Sequence, residues 1–276
     1  MEQTIQKTVK RDDGSWVTVD VYGDPAAPGL MVVPGVMSDA RSWGAVARAI
    51  TAWPSVAVLN RRGRTPSGPL TADYSLDTEV GDLLEVLNVL GPVKSVFGWS
   101  YGGLIALLAA GRHPMEQVIA YEPVERPFAA EALPALRTAE EAQDWDRSVE
   151  IVNRDISGFT ADYVTGLRAD PAVWEELRRL SVPLSAELTA LNAVAPPKTL
   201  AQEAGRVDFI VGERNRHGEP YGTAFDAIAG RVSGARIHEL AGVGHLAHLE
   251  DPVGLGRLLD ALARIEDQGR GSVIRG

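Results

Sequence analysis

A serine hydroxyl is a weak nucleophile at neutral pH and needs a neighbouring imidazole to take its proton. Ser100 is the serine best placed for that chemistry. It stands in Gly98-Trp99-Ser100-Tyr101-Gly102, between an apolar run ending at Phe97 and a helical pattern opening at Gly102. A sharp strand-to-helix corner strains its central residue and demands small neighbours two positions to either side. Gly98 and Gly102 meet that demand, and Gly103 adds room. Such a corner presents Oγ at a helix N-terminus, where free N–H groups and the helix dipole favour a developing anion. A bare Gly-x-Ser-x-Gly match is weak; one at a strand–helix junction is strong.

His245 is the candidate general base. It follows Gly242-Val243-Gly244, after the last predicted strand and before the last predicted helix. Serine before histidine along the chain is the order this corner requires. The other histidines fit less well. His113 ends a helix, where a cation is simply favourable. His217 lies in a polar loop and His238 alternates within a strand. His248, three residues past His245, is the nearest competitor, but His245 directly follows the glycine-rich turn.

The elements that must position these residues show in the hydrophobic pattern. Thr4 to Lys10 and Ser15 to Tyr22 alternate about Asp12-Asp13-Gly14, which predicts a hairpin. Short apolar runs at 29–33, 55–59, 93–97, 117–121, 207–211 and 235–240 predict the other six strands. Helical spacing falls between them at 42–52, 75–90, 102–111, near 223–230 and at 253–266. This alternation predicts an α/β fold with a mostly parallel sheet of eight strands. From about Val124 to Leu200 it stops, and Pro127, Pro134, Pro171, Pro183 and Pro196-Pro197 divide helix-like pieces. The expected organisation is a core of residues 1–123 and 201–276, with a helical lid inserted at 124–200. The tail 267–276 is polar and glycine-rich, and is expected to fray.

Composition narrows the function. The 276 residues carry 37 acidic against 27 basic side chains, a formal net charge of −10, which disfavours a nucleic-acid partner. No cysteine is present, so disulfides, thiolate metal sites and a cysteine nucleophile are excluded. Met1-Glu2-Gln3-Thr4 does not open a signal peptide, and no apolar stretch approaches the ~20 residues that span a bilayer. A soluble, cytoplasmic protein without a membrane partner is expected. His245-x-x-His248 has no carboxylate to complete a zinc motif, and no Gly-x-Gly-x-x-Gly follows the first sheet strand. Neither a metal nor a dinucleotide cofactor is expected. Oligomeric state leaves no signal.

Four segments carry a family resemblance: Val33-Pro34-Gly35-Val36, residues 60–68 around Arg61-Arg62-Gly63-Arg64, Gly98 to Gly103, and Gly242 to Pro252. With them the chain resembles the α/β-hydrolase superfamily over nearly its whole length. The Arg-Arg-Gly-Arg loop and Tyr121-Glu122-Pro123 look most like small bacterial hydrolases of the esterase and lactonase type. The resemblance implies an oxyanion hole made by the backbone N–H groups of Val36 and Tyr101. Many members have His-Gly where this chain has Pro34-Gly35. The Val36 amide survives that change; the support of the histidine does not.

The acid departs from the family pattern. Members usually carry Asp after the penultimate strand, where this chain reads Gly212-Glu213-Arg214-Asn215 and Asn215 takes the place of the Asp. An amide can orient an imidazole but cannot neutralise an imidazolium. Some relatives take the acid from one strand earlier, and there this chain has Glu122. Glu122 is the leading candidate. Glu213, Asn215 as an orienting group, Glu219, Asp226 and no acid at all stay open.

The resemblance thus implies hydrolysis of an ester, lactone or thioester through an acyl-enzyme, with Ser100, His245 and Glu122 as catalytic residues. The lid, with Trp99, Trp145 and Trp174, would form a pocket for a small apolar or aromatic substrate, although core packing explains Trp145 and Trp174 equally well. The changes at Pro34 and Asn215 keep open a lyase or cyclase-like biosynthetic enzyme on this fold. A non-catalytic binding protein on the same scaffold is the third reading.

Overall fold

Asp12-Asp13-Gly14 closes a hairpin between β1 (Ile5–Lys10) and β2 (Trp16–Gly23), paired from Ile5↔Val21 to Lys10↔Trp16. Gly14 takes φ 83° in the turn, a conformation that costs glycine nothing. The computed structural model describes residues 4–270 apart from Pro28, Pro92, Val194 and Pro196. The expected break at Pro196 and the tail at 271–276 therefore lie outside the described residues.

From the hairpin the chain alternates strand and helix. The order is β3 (Leu30–Val33), α1 (Gly44–Ala49), β4 (Ser55–Asn60), α2 (Leu76–Leu90), β5 (Ser95–Trp99), α3 (Tyr101–Ala109) and β6 (Gln117–Tyr121). Helices then follow one another before the next strand: α4 (Leu133–Glu141), α5 (Trp145–Glu150), α6 (Ala161–Ala169), α7 (Pro171–Ser181) and α8 (Leu184–Ala193). Then come β7 (Val207–Gly212), α9 (Tyr221–Ala229), β8 (Arg236–Leu240), α10 (Ala247–Glu250) and α11 (Pro252–Arg270).

The eight strands form one sheet in the order β1-β2-β4-β3-β5-β6-β7-β8, antiparallel at β1/β2 and β2/β4 and parallel elsewhere. β3 to β7 are buried along their whole length, because both faces of the sheet are covered. Leu83, Ile105, Phe209 and Phe225 belong to the core on one side, and Trp43, Val46, Phe97 and Leu259 to the core on the other. Burial of each such side chain is worth roughly 1.5–3 kcal/mol. The parallel strands end level at one edge, where Trp99 pairs with Tyr121 and Tyr121 with Ile210. Open sheets of this kind bind ligands beyond that edge.

Two expected helices are corrected. The one at 42–52 is a 3₁₀ turn (Ala40–Trp43) followed by the shorter α1. Its C-terminus is cut at Ile50 because the Asp260 carboxylate, and not a helical carbonyl, accepts the N–H groups of Thr51 and Ala52 at 2.9 and 2.8 Å. The last helix continues past Glu266 to Arg270, four residues beyond its expected end. No helix among the described residues is long and apolar enough to cross a membrane.

Candidate active site

Ser100 occupies the corner between β5 and α3 with φ 56° and ψ −122°, a strained conformation for a residue with a side chain. The corner is tight. A Cβ on Gly98 would strike the backbone of Gly102, and one on Gly102 would strike the Val33 carbonyl. The Ser100 N–H donates to the Tyr121 carbonyl at 2.8 Å, which ties the corner to the end of β6. Tyr101 opens α3, so its N–H has no helical acceptor. Val36 lies in the turn after β3, and its N–H also lacks a protein acceptor among the described residues. Both residues line the same cavity as Ser100.

Glu122 follows Tyr121 as Ser100 follows Trp99: each is the first residue beyond one of two paired strands. Its side chain is fully buried and its φ is 39°. Oε1 accepts the Gly212 N–H at 2.8 Å, while Oε2 accepts Asn215 Nδ2 at 2.9 Å and meets His245 Nδ1 at 2.6 Å. Both carboxylate oxygens are therefore served by donors, the condition for burying an anion. His245 lies in the turn before α10 and is only 6% exposed. Trp99 Nε1 donates to the His245 carbonyl at 2.7 Å, and the Tyr121 hydroxyl to the Gly244 carbonyl at 2.5 Å. The Tyr221 ring stacks on the imidazole at 3.4 Å between centroids with 7° between planes. Ser100 Oγ forms no hydrogen bond with that ring, although both residues border the cavity.

Most of the remaining polar candidates are engaged by other contacts, and Glu219 is exposed. Asn215 ends a 3₁₀ turn after β7 and braces Glu122; it does not reach the imidazole by a hydrogen bond. Glu213 accepts the Gly242 N–H at 2.7 Å. His217 pairs with Asp226 at 2.9 Å and His238 with Asp208 at 2.9 Å, while His113 is exposed. His248 lines the cavity but has no carboxylate partner among the described residues. It is stacked on Trp43 at 4.5 Å and packed against Trp99. Burial, and after it the nearby His245, push its pKa down to about 3, so the ring is neutral.

The cavity holds about 540 Å³. Its walls are mostly apolar, with Phe128 and Phe159 and with Leu177, Leu180, Leu184, Leu188 and Leu191 from α7 and α8. Trp99 borders it; Trp145 and Trp174 do not. Trp174 packs on Val149 and Val164 where α5, α6 and α7 meet, with Nε1 on Asp146 at 2.7 Å, and Trp145 is half-buried. The aromatic wall comes instead from Tyr221, Phe128 and Phe159. Nothing in the local pattern around Tyr221 marks it, because its partner His245 is brought to it only by the fold.

Residues 30–257 match the model of the alpha/beta hydrolase family, so the chain belongs to that family. No curated protein matches it. Among solved structures it is similar to an alpha/beta hydrolase from Sphaerobacter thermophilus, with 20% identity and a TM-score of 0.73 over 92% of this chain and 99% of the other. It is also similar to an enol-lactonase from Burkholderia xenovorans, at 19% identity and a TM-score of 0.71 over 95% and 98% of the two chains. An esterase from a Rhodococcus species gives 16% identity and a TM-score of 0.71 over 94% and 98%. Likeness at such identity is likeness of fold.

Proposed function

We propose that this chain is a serine hydrolase that cleaves an ester, lactone or thioester bond in a small apolar or aromatic substrate by way of an acyl-enzyme. The observation that carries the reading is the 2.6 Å contact between His245 Nδ1 and Glu122 Oε2, made beside the cavity that Ser100 borders. With its Nδ1 proton held by the carboxylate, the neutral ring keeps the Nε2 lone pair free to accept a proton. The Oγ–Nε2 hydrogen bond forms when substrate seats; such bonds are often long without substrate.

Oγ attacks the carbonyl carbon as its proton passes to Nε2, and the π electrons move to the carbonyl oxygen. The Val36 and Tyr101 N–H groups receive that oxyanion, and Glu122 stabilises the imidazolium. Collapse breaks the bond to the leaving oxygen or sulfur, which takes the proton from His245. Water then attacks the acyl-serine with His245 again as base, releasing the acid and restoring Ser100. The helical insertion is the lid that encloses the apolar part of the substrate, in keeping with the leucines it contributes to the wall.

Treatment with a fluorophosphonate, followed by peptide mass spectrometry, tests the reading. A single adduct on Ser100, absent from Ser100→Ala, together with turnover of p-nitrophenyl hexanoate, is expected. A folded protein that neither labels nor turns over such esters would instead favour a lyase or cyclase-like use of the cavity.

A further inference from the structure

Arg61 is an arginine with no surface. It is 1% exposed, yet its guanidinium is engaged on every side. Nε donates to the Pro34 carbonyl at 2.9 Å and Nη2 to the Gly35 carbonyl at 2.8 Å. Nη1 meets Glu79 of α2 at 2.6 Å, and Nη2 meets Glu187 of α8 at 2.5 Å. The guanidinium carbon also lies 5.1 Å from the centroid of the Tyr101 ring.

The Gly35 contact bears on the site. The Gly35 carbonyl and the Val36 N–H belong to one peptide unit, and that unit is trans. In a planar trans peptide the C=O and N–H point in opposite directions, so fixing the oxygen fixes the hydrogen. A cation on the oxygen also draws electron density from the amide and makes its N–H a stronger donor. The same guanidinium thus touches the peptide of one oxyanion donor and the side chain of the other.

We propose that Arg61 is a positioning residue that aims and polarises the Val36 N–H, and that Glu187 makes its hold depend on the insertion being seated. The proposal rests on the serine-hydrolase reading. Glu187 is the link: it comes from the insertion, borders the cavity, and also takes Arg64 Nη1 and Nη2 at 2.6 Å each. Burial alone would raise its pKa, but Arg61 and Arg64 hold it below the usual carboxylate range, so it stays an anion. On the far side, Glu79 receives the Tyr74 hydroxyl at 2.6 Å, which makes a second anchor independent of the insertion. Removing Glu187 charge therefore loosens Arg61 without freeing it. Replacing Arg61 frees the turn.

Arg61→Lys and Glu187→Gln, each in the full chain, test this with two readouts. The first is steady-state hydrolysis of p-nitrophenyl hexanoate beside the inhibition constant of an alkyl trifluoromethyl ketone, which forms a tetrahedral oxyanion on the serine. In Arg61→Lys, kcat is expected to fall by about thirtyfold, short of the 10²–10³ for deleting a donor outright. KM stays within threefold, and the ketone weakens in proportion to kcat. Glu187→Gln shifts both in the same direction by about fivefold, and serves if Arg61→Lys does not fold. The second readout is amide hydrogen exchange of Val36 by NMR: this N–H has no protein acceptor among the described residues, so its exchange follows its acidity and is expected to slow severalfold in Arg61→Lys. A cooperatively folded variant with unchanged kcat, unchanged ketone affinity and unchanged Val36 exchange overturns the proposal, as does a change confined to KM. If the unmodified protein hydrolyses no ester, the hydrolase reading fails. Unchanged Val36 exchange then overturns the hold of Arg61 separately.

Discussion

Asn215 Nδ2 and His245 Nδ1 converge on one oxygen, Glu122 Oε2, at 2.9 and 2.6 Å. Asn215 thus braces the carboxylate that meets the imidazole. Its amide supplies a donor to an anion that would otherwise share one oxygen with the histidine alone. A carboxylate at position 215 would be repelled there.

Glu122→Gln is expected to lower kcat by about 10³–10⁴-fold, because a neutral amide neither fixes the Nδ1–H tautomer nor stabilises imidazolium. Cooperative thermal unfolding should be retained, since the amide keeps an acceptor for the Gly212 N–H. Ester turnover beside a melting curve checks both; turnover near that of the unmodified protein would remove Glu122 from the mechanism.

Asn215→Ala deletes one hydrogen bond to a charged group, worth about 1.5 kcal/mol, and is expected to lower kcat about tenfold. Asn215→Asp on the Glu122→Gln background restores a carboxylate from the neighbouring strand end. It should recover at least tenfold over Glu122→Gln alone. A double variant no faster than the single one would show that position 215 cannot serve the ring.

His248 links folding to pH. Its pKa is depressed to about 3 in the folded protein from 6.5, so the unfolded chain binds its proton first as pH falls. The stability this residue contributes is present above pH 6.5 and is lost progressively down to about pH 3. His248→Phe keeps an aromatic ring against Trp43 and Trp99 and removes the titration. Across that window its melting temperature should fall less steeply than that of the unmodified protein, as followed by circular dichroism; parallel curves would show that His248 is not the linked group.

Leu188→Trp narrows the cavity from α8. The activity ratio for p-nitrophenyl octanoate over acetate should fall at least tenfold, because overpacking excludes the longer chain first. An unchanged ratio would mean that the acyl group lies elsewhere.

What the sequence reveals here is local. Gly98 and Gly102 announce the corner at Ser100, and Asp12-Asp13-Gly14 announces the hairpin, because each requirement is met within a few residues. Asn215 in the loop after the penultimate strand is legible for the same reason, while the contact of Glu122 with His245 needs the paired strand ends of β5 and β6. What escapes the sequence depends on distant partners. Asp260 ends α1 from 209 residues away. Residues 124–200 have no single period, so the cavity-lining leucines and Trp174, buried among the helices, cannot be told apart before those helices are packed. Arg61 reads as part of a short basic run, and only the fold shows that it grips the Pro34 and Gly35 carbonyls.

The placement of Glu122 directly after β6 also bears on how other chains are sorted. A scan that looks for an aspartate after the penultimate strand would set this protein aside as a defective scaffold. On the proposed reading, a better search term is a carboxylate one residue beyond the strand that follows the helix after the Gly-x-Ser-x-Gly corner, with an amide after the penultimate strand. Chains bearing that pair would form a recognisable subgroup, and some that are now dismissed for want of an acid would be worth assaying.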